Sequence, residues 1–101
     1  MIVYTVELEM DAALRDEYLA WLREHVRAML ALPGFVAAEI LEPLDPMPPA
    51  GRCVLVAEYR LTDRTAWQAY LVGDAPSMRE AGLRRFGERV RATRRVLESA
   101  S

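Results

Sequence analysis

The segment from Asp11 to Leu32 constrains the fold more than any other part of the chain. At about 100° per residue, Leu14, Tyr18, Leu19, Trp21, Leu22, His25, Val26, Met29 and Leu30 share one arc of about 180°. Asp16, Glu17, Arg23, Glu24 and Arg27 fill the opposite side, and Arg15 lies inside the apolar arc at the first turn. A surface helix needs an apolar stripe of only about 100°. This helix must therefore be covered on a broad front, with Tyr18, Trp21 and His25 along one edge of it. Asp11 is expected to cap its first turn, and Pro33-Gly34 to end it.

The flanking segments supply the cover. Met1 to Glu9 alternates as a strand, with Ile2, Tyr4, Val6 and Leu8 on one face. Phe35 to Leu41 reads as a second strand, and the proline-rich stretch from Glu42 to Gly51 as an irregular connection. Arg52 to Leu61 is a third strand whose Cys53-Val54-Leu55-Val56-Ala57 core is apolar at every position, the mark of a strand covered on both faces. Thr62 or Asp63 caps a short helix from Arg64 to Val72, which Gly73 ends. Asp74 restarts a helix with Pro76 in its first turn, running to Phe86-Gly87. Arg89 to Glu98 closes the order as a fourth strand. The sum is βαββαβ with a broken second helix: an α+β, ferredoxin-like sandwich with two helices on one face of a four-stranded antiparallel sheet. A second copy of the same sheet is the simplest cover for the other apolar face, which predicts a homodimer.

Composition narrows the function. The 101 residues fit one domain, spanning 1–101, and 52% hydrophobic with 28% charged residues is a globular balance. No apolar run approaches the roughly 20 residues that cross a bilayer, and the opening residues lack a charged signal region. One cysteine, Cys53, allows no internal disulfide, so a cytoplasmic location is expected. One His and one Cys do not build a zinc site. All 13 basic residues are arginine: residues 1–78 carry 6 against 12 acids, and residues 79–101 carry 7 against 3. That acidic bulk argues against nucleic acid as a partner, while the Arg-rich end needs partners of its own.

The chain resembles a family of short bacterial proteins of unknown function in the dimeric α+β barrel superfamily. The resemblance is carried by Met1-Ile2-Val3-Tyr4, by Trp21-Leu22-Arg23-Glu24-His25 leading to Pro33-Gly34-Phe35, by the run from Ala75-Pro76 to Arg85-Phe86-Gly87, and by Arg94-Arg95-Val96-Leu97-Glu98. It implies the dimeric barrel and brings no activity of its own. The wider superfamily includes cofactor-free antibiotic-synthesis monooxygenases, haem-degrading monooxygenases and lactone isomerases. Those monooxygenases commonly use an Asn and a Trp in the cleft between helix and sheet. Trp67 stands in for the Trp, but the chain has no Asn, so half of that pair is missing.

Several side chains are candidates for a site. His25 alone titrates near neutrality when unperturbed, and beside Tyr18 and Trp21 it would serve as a general base at the rim of a pocket. Trp67 and Tyr70, three apart, share a helix face beside the break, where a cleft would open. Tyr4 and Tyr59 belong to the central strands, as base-stacking aromatics do in RNA-recognition domains, but the basic-glycine-aromatic signature of those domains is absent. Arg91, Arg94 and Arg95 occupy both parities of the last strand, with Glu7, Glu39 and Glu58 as partners within reach; Arg91 is the one assigned to a ligand. The sequence therefore predicts a homodimer binding a small organic ligand in a helix–sheet cleft with His25, Tyr18, Trp21, Trp67, Tyr70 and Arg91, and with no cofactor, nucleic acid or membrane. The alternatives are a cofactor-free monooxygenase or isomerase, and a scaffold dimer whose aromatic residues are simply core.

Overall fold

The computed structural model describes residues 1–101. Strand β1 (Ile2–Asp11) leads through a short 3-10 turn (Ala12–Leu14) into helix α1 (Arg15–Leu30). Strands β2 (Phe35–Leu41) and β3 (Arg52–Leu61) follow, then helices α2 (Arg64–Val72) and α3 (Ala75–Phe86). Strand β4 (Val90–Glu98) completes a four-stranded sheet ordered β2-β3-β1-β4, antiparallel throughout. This is the α+β, ferredoxin-like arrangement expected from the order of elements.

Register explains the core. Across the β1–β3 pair, Ile2 faces Leu61, Tyr4 faces Tyr59, Val6 faces Ala57, Leu8 faces Leu55 and Met10 faces Cys53. All ten are buried, because every second residue of both central strands points beneath the helices. Tyr18, Leu22, Val26 and Met29 of α1 complete the layer, with Leu22 only 2% exposed. The broad arc read from the sequence is accurate for Trp21 and His25, which are half-buried along its edge, while Leu30 at the last turn is exposed.

Two junctions depart from expectation. The first strand continues to Asp11, two residues further than its alternation implied, because Asp11 pairs in register with Arg52. Its carboxylate accepts from Arg52 at 2.7 Å and makes no bond to the helix, so the predicted cap is absent and the chain enters α1 through the 3-10 turn. Asp63, by contrast, does cap α2, accepting from the Ala66 N–H at 2.9 Å.

Gly34 holds the layers together at the other end. Its φ of 84° is a left-handed conformation, and a Cβ there would lie 2.4 Å from the Ala66 Cβ. Its carbonyl accepts from the Thr62 N–H at 3.0 Å. The turn after α1 and the start of α2 thus touch through a position that has room for hydrogen alone.

Coverage of the sheet is uneven. The helices lie over β1 and β3, and β4 is exposed from Arg91 onward. A bidentate pair, Arg64 Nε and Nη2 to Glu98 at 2.8 and 2.6 Å, ties the end of β4 to α2. The opposite face of the sheet carries Val3, Thr5, Val54 and Val56, half-buried and with no element above them.

Candidate functional site

Where the helical layer stops short of β4, a cavity of about 80 Å³ opens between α1, α3 and the sheet. Its floor is Tyr4, Val6 and Leu8 of β1 with Ala57 and Tyr59 of β3. Tyr18, Trp21, Leu22, His25 and Met29 of α1 form one wall, and α3 supplies the other. The α3 residues that face it, Met78, Arg79, Gly82 and Leu83, recur at the three- and four-residue spacing of one helix face. Ala92 and Arg94 line the side left open by β4.

Gly82 sets the shape of this space. A Cβ on it would lie 3.2 Å from Cη2 of Trp21, so the indole rests directly against the α3 backbone. The imidazole of His25 stacks on that indole, with ring centres 4.6 Å apart and planes 17° apart. Tyr18 packs against Trp21 at 5.4 Å and against Phe86 at 4.7 Å. A second aromatic group lies deeper, under α2: Tyr4 packs on Tyr59 at 5.7 Å, on Trp67 at 4.7 Å and on Tyr70 at 6.0 Å. The cavity lies where the two aromatic groups meet.

Burial tunes the titratable groups around it. His25 has no charged or hydrogen-bonding partner in the protein, and desolvation lowers its pKa, so its ring is neutral at pH 7. Burial pushes the Tyr18 phenol up to about 12, opposed by the charge of Arg94. Tyr70 also rises to about 12, again through burial, with Arg79 and Arg94 both acting in the other direction. Its hydroxyl donates to the Met29 sulfur at 3.7 Å. These phenols are therefore neutral donors, and none is a base at physiological pH. No three His, Cys, Asp or Glu side chains come together as a metal-holding group.

The cavity brings together Tyr18, Trp21, His25 and Tyr70 of the residues singled out in the sequence. Trp67 and Arg91 are not among its lining. Trp67 is half-buried against Tyr4 and Tyr70, so the tryptophan in the cleft is Trp21. Arg91 pairs in register with Glu9 on the opposite face of the sheet, and its parity points it away from the helices. Arg94 has the inward parity, opposite Val6, and its Nε donates to the Tyr4 hydroxyl at 3.2 Å. None of Arg91, Arg94 and Arg95 pairs with Glu7, Glu39 or Glu58; Glu58 accepts from Arg60 at 3.2 Å instead. Arg79 was missed altogether. The signal for it was the row Met78, Gly82 and Phe86, whose spacing marks the inner face of α3 and places Arg79 beside it.

The βαββαβ order and the β2-β3-β1-β4 sheet define a ferredoxin-like α+β fold with a cleft between helices and sheet. The chain belongs to a family described as a domain of unknown function (DUF4286), which it matches over residues 1–100. No curated protein matches it. Solved structures share the fold at low identity. MhuD, a heme-degrader from Mycobacterium tuberculosis seen with two hemes bound, superposes with a TM-score of 0.72 at 19% identity, covering 100% of this chain and 97% of that one. SnoaB, a cofactor-independent oxygenase from Streptomyces nogalater, gives 0.68 at 16%, covering 99% and 94%. A Deinococcus radiodurans protein of the antibiotic biosynthesis monooxygenase type gives 0.72 at 14%, covering 100% and 94%. At these identities the likeness is one of fold.

Proposed function

We propose that the protein is a homodimeric small-molecule-binding barrel whose ligand sits in the cavity between α1, α3 and the sheet. The observation that carries this reading is an aromatic-walled space left open at β4, where a filled core would be closed. Its volume of about 80 Å³ is small beside the roughly 300–1,000 Å³ of sites that enclose drug-sized ligands. The ligand is therefore a single ring or a short branched chain, with anything larger extending through the mouth. A tetrapyrrole exceeds this space. His25, Trp21, Tyr18 and Tyr70 contribute stacking surface and neutral hydrogen-bonding groups. A neutral His25 at the wall also provides a proton acceptor for a cofactor-free reaction, which is the point of contact with the oxygenase named above.

An NMR titration with indole tests the cavity. The Trp21, His25 and Tyr18 ring resonances are expected to shift together in the wild type and to stay put in Ala92→Trp, which plugs the exposed mouth without touching the core. Wild-type resonances that do not respond would return these residues to the role of packing.

The dimer reading rests on the uncovered sheet face. Val54 and Val56 sit at one end and Val3 and Leu97 pair at the other; on β1 to β3 the acids Glu7, Glu9, Asp11, Glu39 and Glu58 outnumber Arg52 and Arg60, while β4 carries Arg91 and Arg95. A two-fold axis would set the acidic half of one copy against the basic strand of the other. Light scattering that finds a stable 11.4 kDa species at micromolar concentration would count against it.

A further inference from the structure

We propose that the ligand of this cavity is an organic acid, whose carboxylate is held between Arg79 of α3 and Arg94 of β4. The proposal rests on the cavity reading above and adds its chemical class. The cavity lining contains two guanidinium groups and no carboxylate. Arg15, Arg27, Arg52, Arg60, Arg64, Arg84 and Arg85 each reach an acid within 4 Å; of the arginines that reach none, only Arg79 and Arg94 line the cavity.

The hydrogen-bonding state of the two groups points the same way. Arg79 Nε is buried without any partner, in a chain that pairs its other buried side-chain donors and acceptors. A buried donor left unpaired is costly, and a small rotation of the guanidinium that brings Nε to a ligand oxygen in the cavity removes that cost. Arg94 is oriented by its Nε donation to the Tyr4 hydroxyl at 3.2 Å, which leaves the terminal nitrogens of the fork without a protein acceptor. Both guanidinium groups line the same cavity, Arg79 from α3 and Arg94 from β4. A carboxylate in the mouth meets one planar fork from the α3 wall and one from the β4 side, a pairing for which arginine is suited. Its apolar body then lies inward against Trp21, Leu22 and Met29. The rest of the molecule carries a net charge of −2, so this positive pocket is a local reversal of the overall field.

Benzoate and benzamide, equal in shape and different in charge, separate this proposal from the reading beneath it. Titrations of the wild type, followed at the Trp21 and His25 ring resonances, are expected to show benzoate binding about tenfold more tightly, since one charge-assisted hydrogen bond is worth about that much. The preference should shrink as salt is added. In Arg79→Met and Arg94→Met it should fall toward unity while benzamide binding holds. Arg79→Met should fold at least as stably as the wild type, because it removes an orphaned donor. Equal affinity of the wild type for both probes overturns the acid assignment and leaves the cavity reading standing. A benzoate preference that survives in both variants overturns it as well. If neither probe binds, the cavity reading itself fails, and this proposal with it.

Discussion

The two faces of the sheet follow different rules. On the helix side, ten residues of β1 and β3 are buried, apolar or aromatic, and matched across the strands from Ile2–Leu61 to Met10–Cys53. On the other side the same strands alternate valines with Glu7, Glu9, Glu58 and Arg60, and none of these is buried. A face made to be hidden within one chain tolerates almost no charge. A face made to meet another copy carries apolar spots between charges whose arrangement sets register. Under the proposed dimer, the strand alternation encodes two partners at once, its own helices on one parity and a second protomer on the other.

The difference can be broken most severely from the covered side. Leu22→Ala removes a side chain 2% exposed and is expected to cost about 2–5 kcal/mol in denaturant titrations. Gly34→Ala should cost about 2–4 kcal/mol, combining a left-handed backbone penalty with displacement of α2 by the new methyl group. A melting temperature within a degree or two of wild type would show that the contact with Ala66 relaxes freely.

From the open side the effect should fall on assembly. Val56→Asp places a charge on the uncovered face, costing the isolated protomer about 1 kcal/mol or less, while sedimentation should show the dimer dissociating. A variant that stays dimeric would move the interface elsewhere. His25→Ala sits between the two regimes, at the rim of the covered layer. It should cost about 1 kcal/mol, far less than Leu22→Ala, because it removes stacking on Trp21 and strands no hydrogen-bond partner. A loss as large as that of Leu22→Ala would make His25 a core residue.

The smallest effect is a pH dependence. His25 is harder to protonate when folded than its ordinary value of 6.5, so below that pH the unfolded chain binds a proton that the native state refuses. Stability should decline as pH falls below about 6.5 and level off once the native ring also protonates. His25→Ala should remove that component from a melt series between pH 7 and 5.

Much of the fold was readable because local signals agreed with the final packing. β2, β3 and α2 have the boundaries their patterns implied, since Pro33-Gly34, Gly51, Asp63 and Gly73 mark them chemically. The misassignments arose where distant partners decided the outcome. Asp11 had the chemistry of a cap, but Arg52, 41 residues away, took its carboxylate. The site was legible on α1, where one helix presents Tyr18, Trp21 and His25 in its own periodicity. It was not legible on β4, where the choice between Arg91 and Arg94 turns on the register with Val6 and Glu9. Trp67 shared a face with Tyr70 as expected, but nothing local says which tryptophan reaches a space that Gly82 helps shape.

Cys53 gives the hidden face a clock. Its thiol is 7% exposed, opposite Met10 in the register, and burial pushes its pKa up. A thiol reagent reacts with it only when that end of the sheet opens. As the one sulfhydryl in the chain, its rate of consumption counts those openings without any engineered label. A bound ligand or a second protomer would slow the count by as much as it stabilises the closed state.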